Sequence, residues 1–550
     1  MIDRKTLGDA SVGDLVSVTK GRGRARVERV VGSAKEIENV LEALLVEEGL
    51  REAFEPHELP APSFEGRTDL RELTSFTIDP GTAKDFDDAI SVRQEGDGAR
   101  VWVHIADVSH FVPAGSRLDR GAAKRGNSVY VPGLVAPMLP HALADDACSL
   151  RPHQDRLCVT VESPPSGEPS FYRSVIRSRE RFTYGQVQRI LDGAERHELA
   201  DELRLADSVS SDLRRRRFAR GALRVESPEV VFAFDGHGRV ERAWLEAEPG
   251  AHALIEELMI LANEAVAGLL ARRRRDALYR VHEQPEPQAI ELLIANLADL
   301  GVPTPPAPER ESMGPQDAAR LAAAVSERVA VYVQQAGRGR EAFQALVLRS
   351  LKQARYDPRS LGHSGLASTA YSHFTSPIRR YPDLVVHRAL LRELGQGDDA
   401  LPDDLDALAE HTSATERGAE QIEYRADEIC LAWLLERTLF ERGWEEPFAG
   451  EIIGVIPSGL FVRFGEVFEG YVPARRLHGD YFQLNDLGTA LVGRRGGRRY
   501  RLGDPIDVTV EDIRRSEGKV ELSTPTSGGE RAGGGRGRPS RQRSGSRARS

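Results

Sequence analysis

Cysteine is scarce in this chain: Cys148, Cys158 and Cys430 are the only three among 550 residues, and none sits in Cys-x-x-Cys spacing. An odd number without that spacing excludes a disulfide frame or a cysteine zinc site and fits reduced thiols in a cytosol. Long apolar runs are lacking as well. No stretch approaches the roughly 18 residues of a membrane span, and Met1-Ile-Asp-Arg-Lys5 opens no signal peptide, so a cytoplasmic chain without membrane association is expected. Net positive charge is also missing. The formal charge of −10 argues against a polyanion ligand, but its distribution matters more than its sum. Thr526–Ser550 holds seven Arg and one Glu, hence +6, which leaves −16 for the remainder. Basic runs persist at Arg214–Arg217 and Arg272–Arg275, read as solvated faces, and at Arg494–Arg501, read as a nucleic-acid-facing surface.

Aspartate is concentrated in one place: Thr77-Ile-Asp79-Pro-Gly-Thr-Ala-Lys-Asp85-Phe-Asp87-Asp88-Ala-Ile90 carries four in ten residues. Leu73–Ile78 reads as a strand and Pro80-Gly81 turns the chain, so Asp79, Asp85, Asp87 and Asp88 share one short loop at a strand end. Four anions so close need compensation, and hard cations such as Mg²⁺ or Mn²⁺ supply it through oxygen ligands. Two such ions about 3.5–4 Å apart are the basis of phosphodiester hydrolysis by two-metal sites. A calcium-binding loop fails on register: counted from Asp79, the sixth residue is Lys84 where Gly is needed and the twelfth is Ile90 where Glu is needed. A plain solvated turn is disfavoured by Phe86, Ala89 and Ile90, which would anchor the loop in a core.

The chain is long enough for three or four domains, and its composition is that of a soluble globular protein. Residues 1–70 read as a hairpin, Val12–Lys20 and Ala25–Val31, and a helix begun by a Ser33/Glu36 capping box. Residues 71–395 form the main body, with strands at Ala89–Gln94 and Arg100–Val108 and helices at Ala251–Leu270, Asp317–Gln335 and Glu341–Tyr356. Residues 396–445 are a helical, acidic connector. Residues 446–524 look like a separate all-β unit with the strand spacing of a five-stranded OB barrel. Residues 525–550, rich in Arg, Gly and Ser, are expected to be disordered.

Four further blocks carry a family likeness: Arg125-Gly-Asn-Ser-Val-Tyr-Val-Pro132; Pro137-Met-Leu-Pro140 with Cys148-Ser-Leu150; Leu254-Ile-Glu-Glu-Leu-Met259 with Ala262-Asn263; and Tyr371-Ser-His-Phe-Thr-Ser-Pro-Ile-Arg-Arg-Tyr-Pro-Asp-Leu384 with His387-Arg388. Together with the aspartate loop they make the chain resemble the RNase II / RNase R (RNB) family of exoribonucleases, from about residue 12 to 524. The resemblance implies an α+β chain: a mixed α/β RNB catalytic domain, a truncated cold-shock-like β segment ahead of it, and a C-terminal S1 domain of OB fold. It implies hydrolysis of single-stranded RNA from the 3′ end to nucleoside 5′-monophosphates with Mg²⁺ (or Mn²⁺).

By position in the family motifs, Asp79, Asp85 and Asp88 are implied metal-shell carboxylates, and Asp87 is the one most directly tied to the chemical step. Tyr130 is implied to pack on the terminal nucleotide, Tyr184 to contact RNA, and Arg379 to grip the scissile phosphate. Glu257, Arg380, Phe461 and His478 complete the expected RNA contacts. Other readings stay open: Tyr130 and Tyr184 as core tyrosines, Arg380 as the structural member of the arginine pair or with the roles swapped, Glu257 as a structural helix residue, and Phe461 with Phe464 filling the barrel core. His373 reads as a packed histidine, not a ligand. Val225 and Ser364 stand where the family often has Phe, and the family's acidic contact near 423–428 falls closest to Asp427 or Glu428. Two rival functions remain, a non-catalytic RNA-binding regulator on the same fold and a DNA exonuclease or general phosphodiesterase.

Overall fold

The computed structural model describes residues 6–20, 24–225, 229–246, 250–306, 313–477 and 479–525. Its centre is a seven-stranded mixed sheet, in the order Glu180–Thr183, Phe76–Asp79, Asp88–Glu95, Gly98–Ala106, Arg156–Ser163, Ser170–Ile176, Thr68–Asp69. Alternation builds it: Ile90, Val92, Val101, Val103 and Ile105 are buried and pack into one apolar core with the helices Gly250–Arg272 and Tyr381–Glu393. The hairpin between the two central strands closes through Gly96-Asp97, with Gly96 at φ +58°. That left-handed value suits glycine.

Two expectations for local structure do not hold. Ser33 does not cap the first helix; it ends the strand Ala25–Ser33, and the helix Ile37–Glu47 starts after Glu36 without a side-chain cap. The helix expected over Glu341–Tyr356 stops at Arg349. Arg355–Asp357 instead pairs antiparallel with Tyr279–Val281 and buries Tyr356, a long-range gain that overrides helical periodicity.

A helix of 38 residues, Leu405–Arg442, runs from the central body to the C-terminal unit. That unit is a closed five-stranded barrel of Phe448–Ile456, Gly459–Phe464, Phe468–Pro473, Lys519–Ser523 and Pro505–Arg514. A three-stranded sheet, Phe482–Leu484, Ala490–Gly493 and Arg499–Arg501, is inserted between its third and fourth strands in the chain. The barrel does not stand apart as the sequence suggests. Its core residues Phe464, Val472 and Leu522 are continuous with Ile429 and Leu435 of the long helix and with Leu41 and Leu45 near the N-terminus. Among the described residues no helix is long and apolar enough to cross a membrane.

Candidate active site

The aspartate loop is held from two sides. Asp79 ends one strand of the central sheet and Asp88 begins the next. Between them the backbone is clamped by the Cys148-Ser-Leu block: Phe86 N donates to Ser149 Oγ (3.1 Å), Ser149 Oγ donates to Lys84 O (2.7 Å), and Leu150 N donates to Phe86 O (2.9 Å). Asp87 is buried, and its Oδ1 accepts from Ile378 N at 2.8 Å. The two most distinctive sequence blocks, 291 residues apart in the chain, therefore meet at one carboxylate.

Loss of solvent raises the pKa of three of these carboxylates. Asp79 is pushed up to about 6 and Asp88 to about 8, burial being the largest cause in both and their mutual repulsion adding to the rise of Asp88. Asp87 is raised by burial against the opposing pull of Arg379. Asp79 Oδ2 and Asp87 Oδ2 are buried without a hydrogen-bond partner. Among the described residues no three carboxylate, imidazole or thiolate groups converge closely enough to ligate one ion as they stand. The donor set nonetheless suits a hard divalent cation: it is all oxygen, it is short of positive charge, and two of its oxygens lack partners.

The two adjacent arginines do different things. Arg380 offers its fork to Asp383, with Nε donating to Oδ2 at 2.9 Å and Nη2 to Oδ1 at 2.8 Å, and the Asp383 side chain is fully buried. Arg379 is 44% exposed at its side chain; its Nη2 donates to Ser376 Oγ (3.1 Å) and its Nε lies 3.6 Å from Asp87 Oδ2. The segment after Arg125 lies alongside them, through Ser128 N to Arg379 O (2.9 Å) and Tyr381 N to Gly126 O (2.8 Å).

That strip delivers Tyr130, whose hydroxyl donates to Asp85 Oδ2 at 2.5 Å and whose backbone N–H donates to Glu423 Oε1 at 2.7 Å. Tyr184 opens the helix Tyr184–Leu191, and its ring stacks on that of His252 at 3.5 Å between centroids and 17° between planes. Asp88 and Asp79 are near enough to raise its hydroxyl pKa beyond what burial does. Asp79, Asp85, Asp87, Asp88, Tyr130, Tyr184 and Arg379 thus form one neighbourhood. Two members are not evident from the sequence. Glu423 is on the long helix, one turn before the Asp427 and Glu428 expected there, and His252 lies in the first turn of the helix that carries the Leu254-Ile-Glu-Glu block.

The remaining expected residues lie elsewhere. Glu257 does not face this site: it is buried, and its carboxylate is taken by Arg217, at 3.0 Å from Nε and 2.5 Å from Nη2. A carboxylate so enclosed needs its counter-ion, which corrects both its expected role and the reading of Arg217 as solvated. Phe461 is on the outer face of the barrel, 36% exposed and tilted against Tyr471 at 5.3 Å, whereas Phe464 fills the core. Strand alternation separates the two. His478 and the tail from Thr526 lie outside the described residues.

Residues 67–396 match the RNB domain and residues 445–524 the S1 RNA binding domain. The chain is 38% identical to ribonuclease R of Escherichia coli (strain K12) over 491 residues, 85% of this chain and 58% of that protein. It is 34% identical to ribonuclease R of Aquifex aeolicus, over 92% of this chain and 72% of that one. It therefore spans a little under three-fifths of the length of the E. coli relative. Among solved structures, Mycoplasma genitalium RNase R in complex with ribose-methylated single-stranded RNA superposes with a TM-score of 0.86 at 26% identity, covering 96% of this chain and 85% of that one. With an RNB domain over more than half its length and an S1 domain behind it, the chain belongs to the RNB family of ribonuclease R-like proteins.

Proposed function

We propose that this chain is a cytoplasmic, divalent-metal-dependent 3′→5′ exoribonuclease that degrades single-stranded RNA to nucleoside 5′-monophosphates in RNA decay and processing. The observation that carries the reading is the clamp of Asp87 by Ile378 N with Arg379 at its open side. It fixes one carboxylate and leaves beside it a half-exposed guanidinium without a close carboxylate bond. Asp79, Asp85 and Asp88 would hold Mg²⁺ or Mn²⁺, with Asp87 closest to the reacting centre. A bound ion of this kind supplies a more acidic attacking water and offsets charge on the phosphoryl oxygens. Arg379 binds two non-bridging oxygens and gains strength as negative charge builds on them. Tyr130, its hydroxyl tied to Asp85, turns its ring to the terminal nucleotide, and Tyr184 has one face closed by His252, leaving the other for RNA. An aromatic face accepts any base, which suits degradation without sequence preference. Phe461 on the barrel is the outer RNA contact in this reading.

The rival, an RNA-binding regulator on the same fold, would be expected to have lost carboxylates of this loop, and all four are present. Purified protein incubated with 5′-labelled single-stranded RNA and with a DNA oligomer of matched sequence, each with Mg²⁺ or EDTA, separates the readings. Stepwise shortening of the RNA alone, abolished by EDTA, is expected, since only RNA offers the 2′-OH. Tight binding without cleavage would favour the regulator, and equal cleavage of DNA the general phosphodiesterase.

A further inference from the structure

The three-stranded sheet inserted in the barrel carries an arginine-rich hairpin whose charges are unusually placed. Arg494, Arg495, Arg498 and Arg499 are all exposed and fall within six residues. Many surface arginines elsewhere have carboxylate partners, as in Arg29–Glu42, Arg71–Asp155 and Arg476–Glu511. Among the described residues, none of these four does. The one carboxylate at hand, Asp480, is already occupied by backbone: its Oδ2 accepts from Arg495 N and Gly496 N, each at 2.7 Å, and its Oδ1 accepts from Tyr481 N at 2.7 Å. A Cβ at Gly493 would stand 2.6 Å from that Oδ2, so glycine there is what lets the carboxylate enter the turn. Asp480 thus shapes the hairpin and leaves the guanidinium groups without a carboxylate partner; that of Arg498 lies over the Tyr500 ring, 4.9 Å from its centre.

Beside them stands Tyr481, 67% exposed, with the Arg494 guanidinium 5.0 Å from its ring centre. The pair is held in register, since Arg494 N donates to Tyr481 O at 3.0 Å and extends the ladder of the sheet. The base of the sheet is fixed to the catalytic body: Thr489 Oγ1 and Asn485 Nδ2 both donate to Asp299 Oδ2, at 2.5 and 3.2 Å. A rigid mount, an exposed aromatic ring and four guanidinium groups without a carboxylate partner are the parts of a site for unpaired bases and their phosphates. A duplex offers no unstacked base to such a ring.

We infer that Tyr481 with Arg494, Arg495, Arg498 and Arg499 forms a second binding site for single-stranded RNA, on the inserted sheet and separate from the outer face of the barrel that bears Phe461. The inference rests on the reading of the chain as an RNA-degrading enzyme. The site holds the strand upstream of the end being hydrolysed and acts only on substrates long enough to reach it.

The test uses the full chain with a fluorescent single-stranded RNA of about 30 nucleotides, longer than the roughly 4–16 nucleotides of one OB-fold site. Affinity is read by anisotropy in EDTA across a salt series, and hydrolysis of an RNA of about 5 nucleotides is followed in Mg²⁺. Tyr481→Ala should weaken binding of the long strand about tenfold, and Tyr481→Phe should restore it. Replacing the four arginines by serine should lower the slope of log affinity against log salt by about 1–3, near 0.7 for each phosphate no longer neutralised. Both variants should hydrolyse the short RNA as wild type does. Wild-type affinity and salt slope in both would overturn the site and leave the loop to solvation or an acidic protein partner. If wild-type protein fails to cut the short RNA, the enzymatic reading falls, while the binding comparison still judges the hairpin.

Discussion

Both carboxylate oxygens of Asp383 grip the guanidinium of Arg380, at 2.8 and 2.9 Å, while the guanidinium of the preceding Arg379 comes no nearer to Asp87 than 3.6 Å. One arginine is spent on the fold, while its neighbour is 44% exposed at its side chain, which among the described residues bonds only Ser376 Oγ. Arg379→Lys keeps the charge but loses the fork, so kcat should fall on the order of tenfold to a hundredfold with RNA affinity changed much less. Arg380→Ala strands a buried carboxylate and should cost about 3–5 kcal/mol of stability, read as a lower Tm. The reverse pattern would exchange the two roles.

Among the described residues, the hydroxyl of Tyr130 is the one side-chain donor to Asp85. Tyr130→Phe keeps the ring for the nucleotide and removes that bond, so its effect should appear in metal dependence. The Mg²⁺ concentration for half-maximal activity should rise about tenfold, the usual scale for losing a group that orients a ligand. An unchanged metal titration would take Asp85 out of the metal shell.

Asp427, one turn along the long helix from Glu423, is pushed up to about 7 by burial, with Glu423 and Glu229 adding repulsion. Because its folded pKa is raised, its contribution to stability is complete below the ordinary carboxylate value near 4 and is lost as pH rises through 7. Asp427→Asn, neutral throughout, should therefore be more stable than wild type at pH 8, by on the order of 1–2 kcal/mol after screening. The gap should narrow as pH falls from 7 towards 4. A gap independent of pH would show that Asp427 is ionised in the fold at all these values.

Removing the barrel by truncation after Glu446 would expose the apolar face of the long helix, because the two share one core. Point variants are the cleaner probe. Phe464→Ala should cost about 3–5 kcal/mol, as expected for a core aromatic. Phe461→Ala should leave Tm nearly unchanged and weaken RNA binding by about 1–3 kcal/mol, the value of one stacked base. Equal loss of stability in both would place Phe461 in the core.

What was legible in the sequence was what lies close together in the chain. The four aspartates announce themselves within ten residues, and the Ser-Pro-Ile-Arg-Arg block carries enough pattern to be found alone. The barrel was legible through its strand spacing, although its sharing of a core with the helix Leu405–Arg442 was not. Glu423 reaches the backbone of Tyr130 across 293 residues and leaves no local trace. Glu257 misled for the same reason: its partner Arg217 sits 40 residues away in a run that looks solvated, and only the packing of the two helices reveals the pair. The division of labour between Arg379 and Arg380 was readable in principle, since Asp383 stands three residues after Arg380 at the spacing that lets helix-start side chains meet.

The most direct test is Asp87→Asn, followed on end-labelled single-stranded RNA with binding and turnover measured side by side. The asparagine still accepts from Ile378 N, so the loop should keep its shape and RNA affinity should stay within a few-fold of wild type. Wild-type protein should release nucleoside 5′-monophosphates from the 3′ end in Mg²⁺, and the variant should be slower by orders of magnitude. Near-normal turnover in the Asp87→Asn variant, or internal cleavage by the wild type, would contradict the account.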